Sequence, residues 1–81
     1  MKAYVLLITE GGKESEVTQA VSGVKEITAL HTVYGIYDIV VEVEVETMDK
    51  LKEIVFNNIR RLDHVKNTIT LITYGEAIKK D

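Results

Sequence analysis

Thr32-Val33-Tyr34-Gly35-Ile36-Tyr37-Asp38-Ile39-Val40-Val41-Glu42-Val43-Glu44-Val45 is the stretch on which the fold turns. From Ile39 it alternates: Ile39, Val41, Val43 and Val45 share one face, while Glu42, Glu44 and Glu46 share the other. Period-two alternation of β-branched residues marks a half-buried strand. Gly35 lies between two β-rich runs, where the chain must reverse, and glycine accepts the positive φ that tight turns need. Asp38 comes just after, so a carboxylate is planted at the mouth of a hairpin.

Working outward, Val24–Tyr34 reads as the strand entering this hairpin and Ile36–Glu46 as the strand leaving it. Upstream, Ala3–Thr9 is apolar on both faces, which suits a central strand. Gly11-Gly12 breaks it. A helix is predicted over Lys13 to Ser22, with Val17, Ala20, Val21 and Val24 at helical spacing and Gly23 as its stop. Downstream, Thr47 is a good N-cap for a helix from Met48 to Leu62. Met48, Leu51, Val55, Ile59 and Leu62 form its apolar stripe, widened by Ile54. Val65–Tyr74 reads as the last strand and residues 75–81 as a polar tail.

This order is β-α-β-β-α-β. Gly23-Val24-Lys25-Glu26 and His64-Val65-Lys66-Asn67 both leave a helix and open a strand, as in a duplicated β-α-β unit. The prediction is an α+β, ferredoxin-like fold: an antiparallel sheet in the order 4-1-3-2 with both helices on one face. The inward set is expected to be Val5, Leu7, Val41, Val43, Ile69 and Leu71. The bare face is then Tyr4, Leu6, Ile8, Leu30, Val40 and Ile72. An apolar patch of that breadth calls for a second sheet, so a homodimer through the sheets is expected, with further assembly through strand edges or hairpin tips.

Composition agrees. Eighty-one residues make one domain near the lower size limit for a self-sufficient core. No cysteine is present to add disulfides or thiolate ligands. Ten basic residues against 13 acidic ones give a net charge of −3, which argues against direct nucleic-acid binding. No apolar run is long enough to span a bilayer, and no signal-peptide pattern opens the chain, so a cytoplasmic location is expected. His31 and His64, the only imidazoles, have no ligand-type spacing, and neither a metal nor a cofactor is expected. Ser15 and Ser22 lack a histidine partner and read as helix-end residues. Tyr37-Asp38 is the one pairing with chemical promise. A turn aspartate bonded to nearby backbone is an equal alternative.

Val33-Tyr34-Gly35-Ile36-Tyr37-Asp38-Ile39 resembles the Val-x-Gly-x-Tyr/Phe-Asp pattern of the effector (RAM) domain of Lrp/AsnC regulators. His64-Val65-Lys66-Asn67-Thr68-Ile69-Thr70 is similar to that family's later Gly-Val-x-x-Thr-x-Thr. The resemblance spans nearly the whole chain, as a stand-alone version without the DNA-binding helix-turn-helix region. His64 stands where the family has glycine, and Tyr34 where threonine is commoner. The resemblance implies a transcription-regulation accessory that is not an enzyme. It also implies an amino-acid effector bound between dimers of an octamer or similar ring, and co-assembly with full-length regulators. Carried over, Gly35 and Ile36 offer backbone groups, Asp38 meets the ligand's ammonium, Tyr34 and Tyr37 wall the pocket, and Thr68 and Thr70 add hydroxyls. Strand directions are expected to put Thr68 at the end of the sheet opposite the Gly35 turn, so that Asp38 and Thr68 reach a ligand only from different chains. Two other readings are a small dimeric ferredoxin-like enzyme of monooxygenase or isomerase type, and an assembly module without ligand.

Overall fold

Alternation dictates the centre of the sheet. In β1 (Lys2–Thr9) every second residue, Ala3, Val5, Leu7 and Thr9, is buried. A computed structural model describes residues 1–80 and places β1 between two antiparallel neighbours. The remaining elements are α1 (Glu14–Ser22), β2 (Ile27–Thr32), β3 (Ile39–Glu44), α2 (Met48–Ile54), a π-helical stretch (Val55–Arg60) and β4 (Val65–Ile72). The sheet order is β2-β3-β1-β4, the expected 4-1-3-2 read from the other edge. Val17 and Val21 of α1 join Leu51, Ile54 and Ile59 in one core with Val5, Leu7, Ile39, Val41 and Val43, so both helices cover the same face.

Apart from β1, which begins one residue earlier at Lys2, the elements are shorter than the sequence suggests. Hairpin strands predicted to reach Tyr34 and to restart at Ile36 stop at Thr32 and restart at Ile39. Residues 33–38 form the loop, closed by the Val33 N–H donating to the Asp38 carbonyl (2.9 Å). Thr47 caps α2 as expected, its hydroxyl accepting from the Lys50 N–H at 3.1 Å. Ala20 is exposed, leaving Val17 and Val21 as the buried contacts of α1. The predicted second helix is α-helical only to Ile54. Val55, Phe56, Asn57, Asn58 and Ile59 are all weak helix formers, and the wider π turn sets Ile59 five residues beyond Ile54, with both buried.

Two face assignments are corrected. Ile69 lies opposite Leu6 and Leu71 opposite Tyr4, so both point to the bare face, at 41% and 51% exposure. Thr68, Thr70 and Ile72 lie opposite Leu7, Val5 and Ala3, on the helix side. Pairing with β1 sets this phase, and a one-residue difference exchanges the faces of the strand. Leu30 also faces the helices, opposite Val41, because a register shift between Ile27 and Ala29 brings Ile27 and Leu30 to one side despite their odd spacing. The open face therefore carries Tyr4, Leu6, Ile8, Val40, Ile69 and Leu71. The molecule is 18 Å through its shortest axis, one helical layer on one sheet.

Lys2 and Glu42 form an ion pair on that face at 2.9 Å. The Lys2 ammonium, helped by the Thr28 hydroxyl, holds the Glu42 carboxyl below its usual 4.5, and Glu42 holds Lys2 above its usual 10.5. A depressed carboxyl contributes stability above its unfolded pKa and loses it as pH falls through the folded one. Lys2 contributes below 10.5 and loses its share as pH rises through its raised value. Glu42→Gln is expected to unfold at a slightly lower temperature than wild type at pH 7, with the gap closing below pH 4.5. Melting curves from pH 3 to 7 measure this.

The two helix exits differ in an unexpected way. Gly23 is right-handed (φ −78°), whereas His64 is left-handed (φ +75°). The left-handed region costs an L-residue about 1–2 kcal/mol, although histidine visits it more than most. His64 Nδ1 lies 3.2 Å from Glu10 Oε1, and Nε2 3.4 Å from Glu16 Oε2, contacts worth little at the surface. The expected stability order in urea is His64→Gly at or above wild type, and His64→Val about 1–2 kcal/mol below His64→Gly.

Candidate functional site

β1, β3 and the start of α1 converge at one end of the sheet. Asp38 sits half-buried there, one residue before β3. Its N–H donates to the Leu7 carbonyl (2.8 Å), which ties the loop to β1. The Thr9 N–H donates to Asp38 Oδ2 at 2.8 Å, and the Thr9 hydroxyl lies 3.5 Å from the same oxygen. Asp38 thus caps the end of β1, satisfying a donor 29 residues away in sequence. The expected turn aspartate bonded to nearby backbone does not form; Oδ2 is held instead by Thr9 of β1.

Beside it is a cavity of about 350 Å³ lined by Glu14, Thr32, Val33, Tyr34 and Asp38. Two carboxylates, two hydroxyl-bearing side chains and no cation line it. Such a lining suits an ammonium group with a small adjoining body. Glu14 was not among the residues the sequence pointed to. Its only signal was its place in the first turn of α1, a few residues after Gly11-Gly12 returns the chain toward the hairpin.

Gly35, Ile36, Tyr37, Thr68 and Thr70 are not among the residues that line this cavity. Gly35 (φ +150°) forms the loop tip with Tyr34 and Ile36, which are fully and 82% exposed, while Tyr37 is half-buried. Thr68 borders a cavity of about 120 Å³ with Arg60, Val65, Lys66 and Asn67. Thr70 lines a groove of about 360 Å³ against α2. One protomer does not gather all seven residues.

The expectation that Thr68 lies at the far end of the sheet from the Gly35 turn is wrong. Ile39 and Thr68 both pair with Leu7, on its two sides. β3 and β4 both run antiparallel to β1, so the beginnings of both meet the end of β1. Asp38 and Thr68 therefore share one end of the sheet, separated by the width of β1, and Tyr74 lies at the other. Strand direction therefore gives no reason to assign them to different chains, and within one protomer they line separate cavities.

Among the described residues no three His, Asp or Glu side chains cluster as metal ligands, and no helix is long and apolar enough to cross a membrane.

Comparison with known proteins places this geometry in context. A sequence model described as the Lrp/AsnC ligand binding domain matches residues 2–81. The crystal structure of FFRP-DM1 is 33% identical, with a TM-score of 0.86, and the match covers 90% of this chain and 97% of that one. Escherichia coli AsnC is 22% identical with a TM-score of 0.88; the match covers 99% of this chain but 54% of that one. A transcriptional regulator from Neisseria meningitidis, solved as an L-Met complex, is 15% identical with a TM-score of 0.79; the match covers 96% of this chain and 52% of that one. The last two likenesses are of fold. A search of curated proteins gives no match.

The cap that Asp38 provides is tested by substitution. Asp38→Ala strands the Thr9 N–H, at a cost of about 1–3 kcal/mol. Asp38→Asn keeps an acceptor there and is expected to cost less than about 1 kcal/mol. Chemical denaturation of the two variants checks this, with equal losses pointing away from a capping role.

Proposed function

The chain belongs to the Lrp/AsnC ligand-binding domain family, and we propose that it works as a single amino-acid-sensing and oligomerising domain in transcription regulation. The observation that carries this reading is the cavity beside Asp38, with Glu14 as a second carboxylate and no basic group. An amino acid's ammonium fits such a lining. Its carboxylate needs N–H or O–H donors, of which one protomer offers only the Thr32 and Tyr34 hydroxyls. A neighbouring protomer supplies the rest: the backbone at Gly35 and Ile36, the hydroxyls of Thr68 and Thr70, and the ring of Tyr37. The site is complete only in an assembly.

The open face supports the assembly. Ile69 and Leu71 are about half exposed beside Tyr4, Leu6 and Val40, and burying one large side chain is worth about 1.5–3 kcal/mol. A face-to-face dimer covers this surface, and dimers join into an octamer or similar ring around the ligand sites. Within the cytoplasm such a ring takes up full-length Lrp/AsnC regulators and alters their response. A ligand-free assembly module is the second reading, favoured by the same face. An enzymatic reading has less support: Leu7, Ile39, Ile54 and Ile59 fill the core beneath the helices, and the groove between α2 and β4 is lined mostly by apolar side chains.

Thermal unfolding with each of the twenty amino acids in turn tests the proposal, methionine first because the Neisseria regulator was solved with it. One or a few should raise the melting temperature, since ligand at a hundred times Kd stabilises by about 2.7 kcal/mol. Asp38→Asn should abolish that rise while leaving the unliganded protein folded. Light scattering should report a dimer or larger, growing with the active amino acid. No response to any of them would favour the assembly module, and a monomer at micromolar concentration would sink both readings.

A further inference from the structure

Asp38 and Glu14 enter one cavity from different elements. Asp38 stands just before β3, and Glu14 is the first residue of α1. With Thr32, Val33 and Tyr34 they line about 350 Å³, at the lower end of the size range of small-ligand pockets. Both carboxylates belong to half-buried residues, and among the described residues neither forms an ion pair. Lys13, next to Glu14 in sequence, pairs with Glu16 instead, at 3.4 Å.

The fold accounts for one of these carboxylates and not for the other. Asp38 caps β1 through Oδ2. Glu14, in the first turn of α1, gains from the helix dipole. Glu16 supplies the same favourable charge from an exposed position. Sharing a cavity with a second carboxylate brings Glu14 only repulsion until a cation enters.

The charge count then discriminates among amino acids. A neutral one carries a single ammonium. With that ammonium at Asp38, Glu14 stays unpaired and the ligand adds a third carboxylate. An amino acid with a cationic side chain brings two positive groups, one for each carboxylate. Val33 and Tyr34 offer apolar surface for its methylene stem. A metal ion is a poorer occupant, because among the described residues no third carboxylate or imidazole joins the two.

Resting on the amino-acid-sensing reading above, we propose that the site selects a basic amino acid of the lysine or arginine kind. Asp38 meets its α-ammonium and Glu14 its side-chain cation, so Glu14 sets the specificity. The ligand's carboxylate is left to the neighbouring protomer, in which Thr68 shares a cavity with the donors Arg60 and Lys66.

Isothermal titration of the full chain compares L-lysine with L-norleucine, and L-arginine with L-citrulline, pairs that differ chiefly in side-chain charge. One basic member should bind about tenfold or more tighter than its neutral counterpart, and the preference should shrink at high salt. Glu14→Gln should bring that ratio to within about threefold of unity. A Glu14 that serves only the helix end would lower the melting temperature of the unliganded variant and leave the ratio as in wild type, which would overturn the proposal. A neutral amino acid binding wild type as tightly as lysine and arginine would overturn it too. That is the outcome expected if the neighbour's Arg60 or Lys66 neutralises Glu14, and it leaves the sensing reading standing. If no amino acid binds at all, both fall.

Discussion

β1 is hydrogen-bonded on both sides, to β3 from Lys2 to Leu7 and to β4 from Ala3 to Thr9. Its side chains alternate between a fully buried set and a half-buried one. That strand needs apolar cover above and below, and the chain provides two helices on one side only. Much else follows from this imbalance. The core forms where α1 and α2 press on Val5 and Leu7. The reverse of the same strand, with Tyr4, Leu6 and Ile8, has no cover within the protomer.

Charge is laid out to match. Carboxylates collect at the hairpin end, where Asp38 and Glu14 share a cavity. Lys52, Arg60 and Lys66, none of them ion-paired among the described residues, line the cavities between α2, the π-helical stretch and β4. The open face is apolar at its centre and holds the Lys2–Glu42 pair toward one end. Surfaces of different chemistry thus lie on different sides of the molecule. One oxygen of Asp38 is committed to the Thr9 N–H, which fixes the direction the other presents to the cavity.

Much of this was readable in the residues. The alternation of Ile39, Val41 and Val43 identifies the inner strand, Thr47 marks the start of α2, and the element order gives the strand order. The face of β4 was not readable, because Val65, Ile69, Leu71 and Ile72 put apolar residues on both parities and only pairing with β1 chooses between them. Leu30 was misplaced because a bulge is invisible to a period of two. The left-handed backbone at His64 had no signal in the residues, since histidine rarely occupies that region. Of the site, Asp38 and Tyr34 stand out in the sequence, whereas Glu14 reaches the cavity only through the return of α1 over the sheet. The end of the sheet that holds Thr68 followed from strand direction alone, and was misjudged.

The central position of β1 has an entropic side. Its last partner lies at the far end of the chain: the Thr73 hydroxyl donates to the Lys2 carbonyl across 71 residues. The β2–β3 hairpin closes over only six loop residues, 33–38. Loop-closure entropy grows with the logarithm of length, so docking β4 onto β1 carries the largest ordering cost of any step in the sheet. Until that step is complete, the strand that organises the molecule has one bare edge, and an edge so apolar is the chain's main exposure to mispairing while it folds.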